Sequence, residues 1–395
     1  MIDQETGPAT GSPSPLPWYA RPAARAWTCA APPPDARRFH AALPGYAPTA
    51  LHELPALARE LAVARVFVKD ESARLGLPAF KALGASWAID RILAPRANDG
   101  TARSVDDRPV RLVTATDGNH GRAVARLARQ LGRRAHVFVP DGVHPAAVAA
   151  IRGEGAEVTA VPGSYDAAVS GARAAAAAPG AVLVQDMAWD GYEEIPSLIV
   201  EGYATLFAEV DAQLEAVGAP SAGLVAVPVG VGSLAQAAVT HYRSRGSRAP
   251  ASGDRPSGRA APALLAVEPV GAACVLESLR TGRLTSVPTG VTAMAGLNCG
   301  TPSALAWPVL RAGLDAATAV TDAAAATAVR DLAESGVAAG PCGAAALAGV
   351  RAALTGAGRA ERRAALGLDA HATLVLISTE GTDANPGSAE RTARQ

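Results

Sequence analysis

Residues 66–93 read V-F-V-K-D-E-S-A-R-L-G-L-P-A-F-K-A-L-G-A-S-W-A-I-D-R-I-L. A short apolar strand, Val66–Lys69, passes through a turn holding Gly76 and Pro78 into a helix expected over Phe80–Leu93. The same unit recurs along the chain. Strands are expected at Leu112–Thr116, His136–Pro140, Ala156–Val161, Ala181–Gln185, Gly223–Pro228, Ala263–Val267 and Thr373–Ser378. Helices such as His120–Leu131, Pro145–Glu154, Pro196–Val217 and Ser233–Tyr242 fall between them. This alternation predicts an α/β fold of parallel sheets joined by crossover helices.

The chain has 395 residues, enough for a large core spread over about one to three domains. Its 36 basic and 36 acidic residues cancel, which leaves no electrostatic footprint for nucleic acid and points to small-molecule partners. Apolar runs such as Leu224–Val229 and Leu374–Ile377 are strand-sized and too short to span a bilayer, so no membrane association is expected. The opening M-I-D-Q-E-T-G has neither the basic start nor the apolar run of a secretory signal. Four cysteines do not make a disulfide framework in a chain this long, so a cytoplasmic setting is the expectation. Residues 1–50, rich in Pro, Ala and Gly, read as an arm lying over a core and carry the aromatic segment Trp18–Trp27. Two polar stretches studded with Pro and Gly, 95–109 and 244–262, read as surface insert loops.

Lys81 opens the helix of the first quoted stretch, between Phe80 and the run Ala82, Leu83, Gly84 and Ala85. Few of these neighbours can solvate an ammonium, and desolvation is expected to depress its pKa and free the amine for Schiff-base chemistry. The basic inventory sharpens the point. Lys69 and Lys81 are the only lysines among 36 basic residues, the other 34 being arginine. A guanidinium stays charged and cannot form an imine, so at least one of the two positions needs an amine.

Three further turns follow strands. Thr116-Asp117-Gly118-Asn119-His120-Gly121 opens a helix and aims polar groups at the crevice beyond a strand's carboxyl end. On its own it reads equally well as an Asp-Gly turn with an Asn helix cap. Val229-Gly230-Val231-Gly232-Ser233-Leu234-Ala235 is a glycine turn running into a helix, which suits an anion at the helix N-terminus. It also satisfies the dinucleotide pattern G-x-G-x-x-A, but the stretch about 20 residues on is the polar insert rather than a strand ending in an acid, which favours a single phosphate. The last strand ends Ser378-Thr379-Glu380-Gly381, where hydroxyls could meet a ring nitrogen or simply form a turn. Gly296-Leu297-Asn298-Cys299-Gly300-Thr301-Pro302 is a distinctive loop that could bring Cys299 near Cys274, with two unpaired thiols the favoured state.

In this order, F-K-A-L-G-A, T-D-G-N-H-G, P-V-G-V-G-S-L-A and S-T-E-G resemble the tryptophan-synthase-β-like, or fold-type II, pyridoxal-phosphate enzymes. Longer stretches, T-D-G-N-H-G-R-A-V-A, V-Q-D-M-A-W-D-G-Y-E-E-I-P and M-A-G-L-N-C-G-T-P-S, are similar to the diaminopropionate ammonia-lyase family within that class. The resemblance covers about Trp18 to Gly381. It implies two domains with parallel or mixed open sheets flanked by helices: a large cofactor-binding domain, 1–114 plus 191–395, and a small one, 115–190. A homodimer and no metal are implied as well. Lys81 would hold pyridoxal 5'-phosphate through a Schiff base, and Asn119 would bond the ring hydroxyl. Gly230, Val231, Gly232, Ser233 and Leu234 would cradle the phosphate, and Thr379, with Ser378 as fallback, would face the ring nitrogen.

Asp117 separates the subfamilies, because the hydroxy-amino-acid dehydratases carry Ser or Thr there. Asp117 and Asp186 would bind the cationic β-amine of 2,3-diaminopropionate by charge-assisted bonds, with Ser86 and His120 as further substrate contacts. Lys81 would take the α-proton of the L-isomer and Asp117 that of the D-isomer. The expected course is α,β-elimination through an aminoacrylate to pyruvate and two ammonia. Serine or threonine dehydration on the same fold is the alternative. A nicotinamide oxidoreductase using G-V-G-S-L-A and a catalytically silent cofactor-binding protein are the remaining rivals.

Overall fold

The computed structural model of the chain describes residues 16–33, 35–94, 110–116, 118–244 and 261–384. Its strands are β1 (Trp18–Ala20), β2 (Leu51–Glu53), β3 (Arg65–Asp70), β4 (Arg111–Ala115), β5 (Arg134–Pro140), β6 (Glu157–Val161), β7 (Ala181–Leu183), β8 (Leu224–Pro228), β9 (Ala263–Pro269), β10 (Ala316–Val320) and β11 (Thr373–Ser378). The first seven helices are α1 (Asp35–Ala42), α2 (Pro55–Glu60), α3 (Lys81–Leu93), α4 (Asn119–Gln130), α5 (Pro145–Gly153), α6 (Tyr165–Ala176) and α7 (Glu194–Ala216). They are followed by α8 (Ser233–Arg243), α9 (Cys274–Thr281), α10 (Ala306–Gly313), α11 (Asp322–Glu334), α12 (Pro341–Leu354) and α13 (Arg359–Leu366).

A seven-stranded sheet runs β1-β10-β9-β8-β11-β3-β2 and a four-stranded one β6-β5-β4-β7. The smaller is parallel throughout, whereas the larger has a parallel centre with antiparallel edges β1 and β2. Strands β8 to β11 are buried along their whole length, as parallel strands covered on both faces must be. The pleat sorts their side chains into two cores. Val225, Val227, Val375 and Ile377 join one, and Leu224, Ala226, Leu374 and Leu376 the other.

Helix α3 is seated on α7 by glycine contacts. A Cβ on Gly84 would fall 2.5 Å from a Tyr203 ring carbon, and one on Gly202 would fall 2.6 Å from the Leu83 carbonyl oxygen. The glycine of the F-K-A-L-G-A stretch therefore lets α3 lie close enough to α7 to set Lys81 over the sheet.

Several expectations are corrected. Strand β4 pairs with β5 and β7, so residues 111–114 belong to the smaller sheet, and the expected boundary at 114 falls inside a strand. The strand expected over Ala181–Gln185 ends at Leu183, because the Gln185 side chain takes over the ladder: its Oε1 accepts from Ala115 N at 2.9 Å. The edge strands β1 and β2 are only three residues long, and the Ala-rich β10 has little strand propensity of its own. Their pairing comes from distant partners. The expected insert 95–109, most of that over 244–262, and Asp117 lie outside the described residues.

Candidate active site

The site gathers at the carboxyl ends of strands from both sheets, where open α/β sheets place their ligands. Lys81, the first residue of α3, sends its Nζ to the carboxylate of Asp186, on the loop after β7. The Lys81 side chain is 22% exposed and that of Asp186 7%. His120 stands beside them with Nδ1 3.9 Å from the same carboxylate. Its Nε2 lies 2.7 Å from the Val184 carbonyl. A carbonyl can only accept, so Nε2 carries the hydrogen and Nδ1 presents a lone pair.

The charge states follow from these contacts. Burial pulls the Lys81 ammonium down, but the Asp186 carboxylate, together with Tyr203 and Cys299, more than offsets it and holds the pKa above its ordinary value. This corrects the depressed amine expected from the apolar neighbours, since the decisive partner lies 105 positions away in the chain. Burial pushes Asp186 up, yet Lys81 and His120 hold it down at about 2. Burial and the Lys81 charge keep the His120 imidazole below its usual range.

The glycine loop after β8 forms the opposite wall. Gly232 adopts φ +99°, and a Cβ there would fall 2.7 Å from Leu310. A Cβ on Gly230 would lie 3.0 Å from both Cys299 Sγ and the Gly296 carbonyl oxygen. Only glycine fits this turn, which leads directly into α8. The first N–H groups of a helix have no acceptor within it and carry its positive end, so they suit an anion. Ser233 Oγ donates to the Asp186 carbonyl at 3.0 Å, tying the loop to the carboxylate-bearing segment. The distinctive 296–302 stretch packs against the same loop, and Ser303 N donates to the Val231 carbonyl at 2.8 Å. Cys274 Sγ lies 3.8 Å from the Gly230 carbonyl, and neither Cys274 nor Cys299 forms a disulfide.

Asn119 opens α4 and reaches the cavity, with Nδ2 donating to Glu380 Oε2 at 2.6 Å. Gly121 follows because a Cβ there would fall 2.3 Å from Thr116 Cγ2. Ser378 Oγ and Thr379 Oγ1 are buried and have no hydrogen-bond partner among the described residues. Neither is among the residues that line the cavity.

Ser86 is corrected more sharply. Five residues beyond Lys81, it lies well around the helix, where Oγ is 3.1 Å from the Leu83 carbonyl and 3.2 Å from His40 Nε2. It faces a separate cavity of about 670 Å³ among α1, α3 and α4. Tyr165, Tyr203 and Cys299 line the site without having been singled out as site residues. Tyr165 and Tyr203 sit inside helices, where nothing local distinguishes a cavity-facing ring from a core one.

A primary amine, a glycine cradle at a helix N-terminus and the Asn119 amide, all lining one cavity, form a set that fits pyridoxal phosphate. The family model described as pyridoxal-phosphate dependent enzyme matches residues 42–369. The diaminopropionate ammonia-lyase of Salmonella typhimurium is 37% identical over 307 residues, 74% of this chain and 73% of that protein. The Escherichia coli diaminopropionate ammonia-lyase is 34% identical over 364 residues, 88% of this chain and 87% of that one. The crystal structure of the Escherichia coli enzyme with an aminoacrylate–PLP azomethine reaction intermediate is similar with a TM-score of 0.77 and 33% identity, covering 90% of each chain.

Proposed function

The chain belongs to the pyridoxal-phosphate-dependent enzymes, among the diaminopropionate ammonia-lyases, and from that premise we propose that it converts 2,3-diaminopropionate to pyruvate and two ammonia with consumption of one water. The observation that carries this reading is the Asp186 carboxylate, which holds a primary ammonium, that of Lys81, inside the cavity. The β-ammonium of the substrate has the same chemistry. A hydroxy-amino-acid carries a neutral hydroxyl at that carbon instead of a cation.

Bound pyridoxal phosphate supplies an electron sink for charge developing on the substrate's α-carbon. The chain's residues supply binding and proton transfer. Lys81 is the group to carry the cofactor and, once its proton is shed, to take the α-proton on its own face. Asp186 takes the substrate cation when Lys81 leaves it. His120, with Nε2–H committed to Val184, keeps Nδ1 free to accept a proton beside that carboxylate. The α8 N-terminus and the residues Gly230 to Leu234 bind the phosphate, and Asn119 donates to the ring hydroxyl. Ser378 or Thr379 answers the ring nitrogen. Asp117 serves as the base for the D-isomer. The two sheets correspond to a large cofactor-binding domain and a small one, the latter including β4. A cytoplasmic homodimer completes the proposal, and no helix among the described residues is long and apolar enough to cross a membrane.

One assay tests the reading. Pyruvate release is measured from D- and L-diaminopropionate and from L-serine, with the visible absorbance of the purified protein recorded. Diaminopropionate turnover with a cofactor band that is absent from Lys81→Arg supports it. A wide preference for serine would overturn the substrate assignment.

A further inference from the structure

Glu380 follows the two orphaned hydroxyls at the end of β11 and is 2% exposed. Its Oε2 accepts from Asn119 Nδ2 at 2.6 Å and its Oε1 from Cys342 N at 3.3 Å. Asn119 begins the helix that follows β4 of the smaller sheet, whereas Glu380 extends the larger one, so the bond crosses the cleft over 261 positions of chain.

The segment holding Glu380 is closely braced. Gly340 N donates to the Glu380 carbonyl at 2.9 Å, and a Cβ on Gly340 would fall 3.1 Å from Oε1. Phe80 N donates to the Thr379 carbonyl at 3.2 Å and Gly381 N to the Pro78 carbonyl at 2.9 Å. The carboxylate therefore stands on the same backbone strut that sets the start of α3 and Lys81.

A carboxylate is an acceptor only, so Asn119 must turn its NH₂ rather than its carbonyl toward Glu380. One Nδ2 hydrogen is consumed, and the other has no acceptor among the described residues. We propose that Glu380 is a positioning residue that locks the Asn119 amide with its donor edge presented to the ring hydroxyl of the cofactor. Without it, the amide is free to flip and offer a carbonyl to an oxygen that needs a donor. The inference rests on the reading of the cavity as a pyridoxal-phosphate site.

The test is a cycle of Glu380→Ala, Asn119→Ala and the double variant. It is read by the dissociation constant of pyridoxal phosphate from the cofactor-free protein and by the position of the bound-cofactor absorbance band. Each single variant is expected to weaken binding by about tenfold to a hundredfold, the size of a lost hydrogen bond to a charged group. The double variant should bind no more weakly than Asn119→Ala alone, and the band should move in Glu380→Ala. Losses that multiply, or an unmoved band, overturn the proposal.

If the alanine variants do not fold, size-conserving variants decide. Glu380→Gln keeps an acceptor oxygen and should retain most of the binding. Combining it with Asn119→Asp rebuilds the bond with its polarity reversed, so that chain should melt like wild type yet bind the cofactor poorly. Wild-type binding by the reversed pair overturns the proposal. A wild-type chain that takes up no pyridoxal phosphate overturns the functional reading as well, whereas multiplying losses in a wild type that binds overturn this inference alone.

Discussion

The Lys81 ammonium and the Asp186 carboxylate form an ion pair between the first residue of α3 and the loop after β7. In the proposed reaction this one carboxylate serves two successive cations: the lysine before the cofactor is bound, and the amine of the substrate afterwards. His120 Nδ1 stands 3.9 Å from the same carboxylate.

Replacing Asp186 with Asn removes the anion but keeps the shape. KM for diaminopropionate should rise by about tenfold to a hundredfold, the size of a lost charge-assisted bond. The Lys81 ammonium, deprived of its main opposing charge, should titrate at lower pH. Steady-state kinetics and the pH dependence of cofactor attachment check both effects. An unchanged KM would show that the substrate cation binds elsewhere.

Acid stability should report the same pair. Asp186 is held at about 2 in the folded chain, below the roughly 3.9 of an unfolded aspartate. A depressed folded value stabilises above the unfolded pKa and is lost as pH falls through the folded one. Cofactor-free protein should therefore lose on the order of 2 kcal/mol from this group between about pH 5 and pH 2. Urea melts should show a smaller acid loss in Asp186→Asn than in wild type. Equal losses would remove Asp186 from the account.

Asp117→Asn should abolish turnover of D-diaminopropionate while leaving part of the L-isomer activity, because Lys81 remains for the other face. Separate progress curves for the two isomers decide it. Equal losses would end the two-base scheme.

Gly232→Ala puts a Cβ 2.7 Å from Leu310 at a residue with φ +99°. The strained backbone should cost about 1–3 kcal/mol. Thermal melting and titration with inorganic phosphate should show a less stable chain with a weakened anion site. Full phosphate affinity would argue against this loop as the cradle.

Ser86→Ala should leave KM unaltered, because Oγ faces Leu83 and His40 away from the reacting cavity. A stability loss of about 1 kcal/mol is expected from the lost buried hydrogen bonds. A raised KM with unchanged stability would return Ser86 to the substrate side.

The parallel centre of the larger sheet was legible because periodicity and turn chemistry are local. V-F-V-K and L-V-L-I-S announce β3 and β11 whatever surrounds them, and Gly-Val-Gly-Ser marks a helix start by its backbone needs alone. The edge strands were not, because W-Y-A at β1 becomes a strand only against β10, some 300 residues on. Glu380 was visible in S-T-E-G but read as part of a turn, since its partner Asn119 lies 261 positions away.

The two lysines show the division most clearly. Composition alone established that arginine would not serve at both positions, because amine chemistry and a compact three-donor cation are beyond a guanidinium. Only tertiary structure decided which lysine has which task. Lys69 is fully buried and spends its Nζ on Thr49 O, Glu209 Oε2 and Gln213 Oε1 at 2.8, 2.6 and 2.9 Å, while Lys81 faces the cavity with Asp186. Burial and charge partners are set by residues more than a hundred positions distant, and no local pattern carries that information.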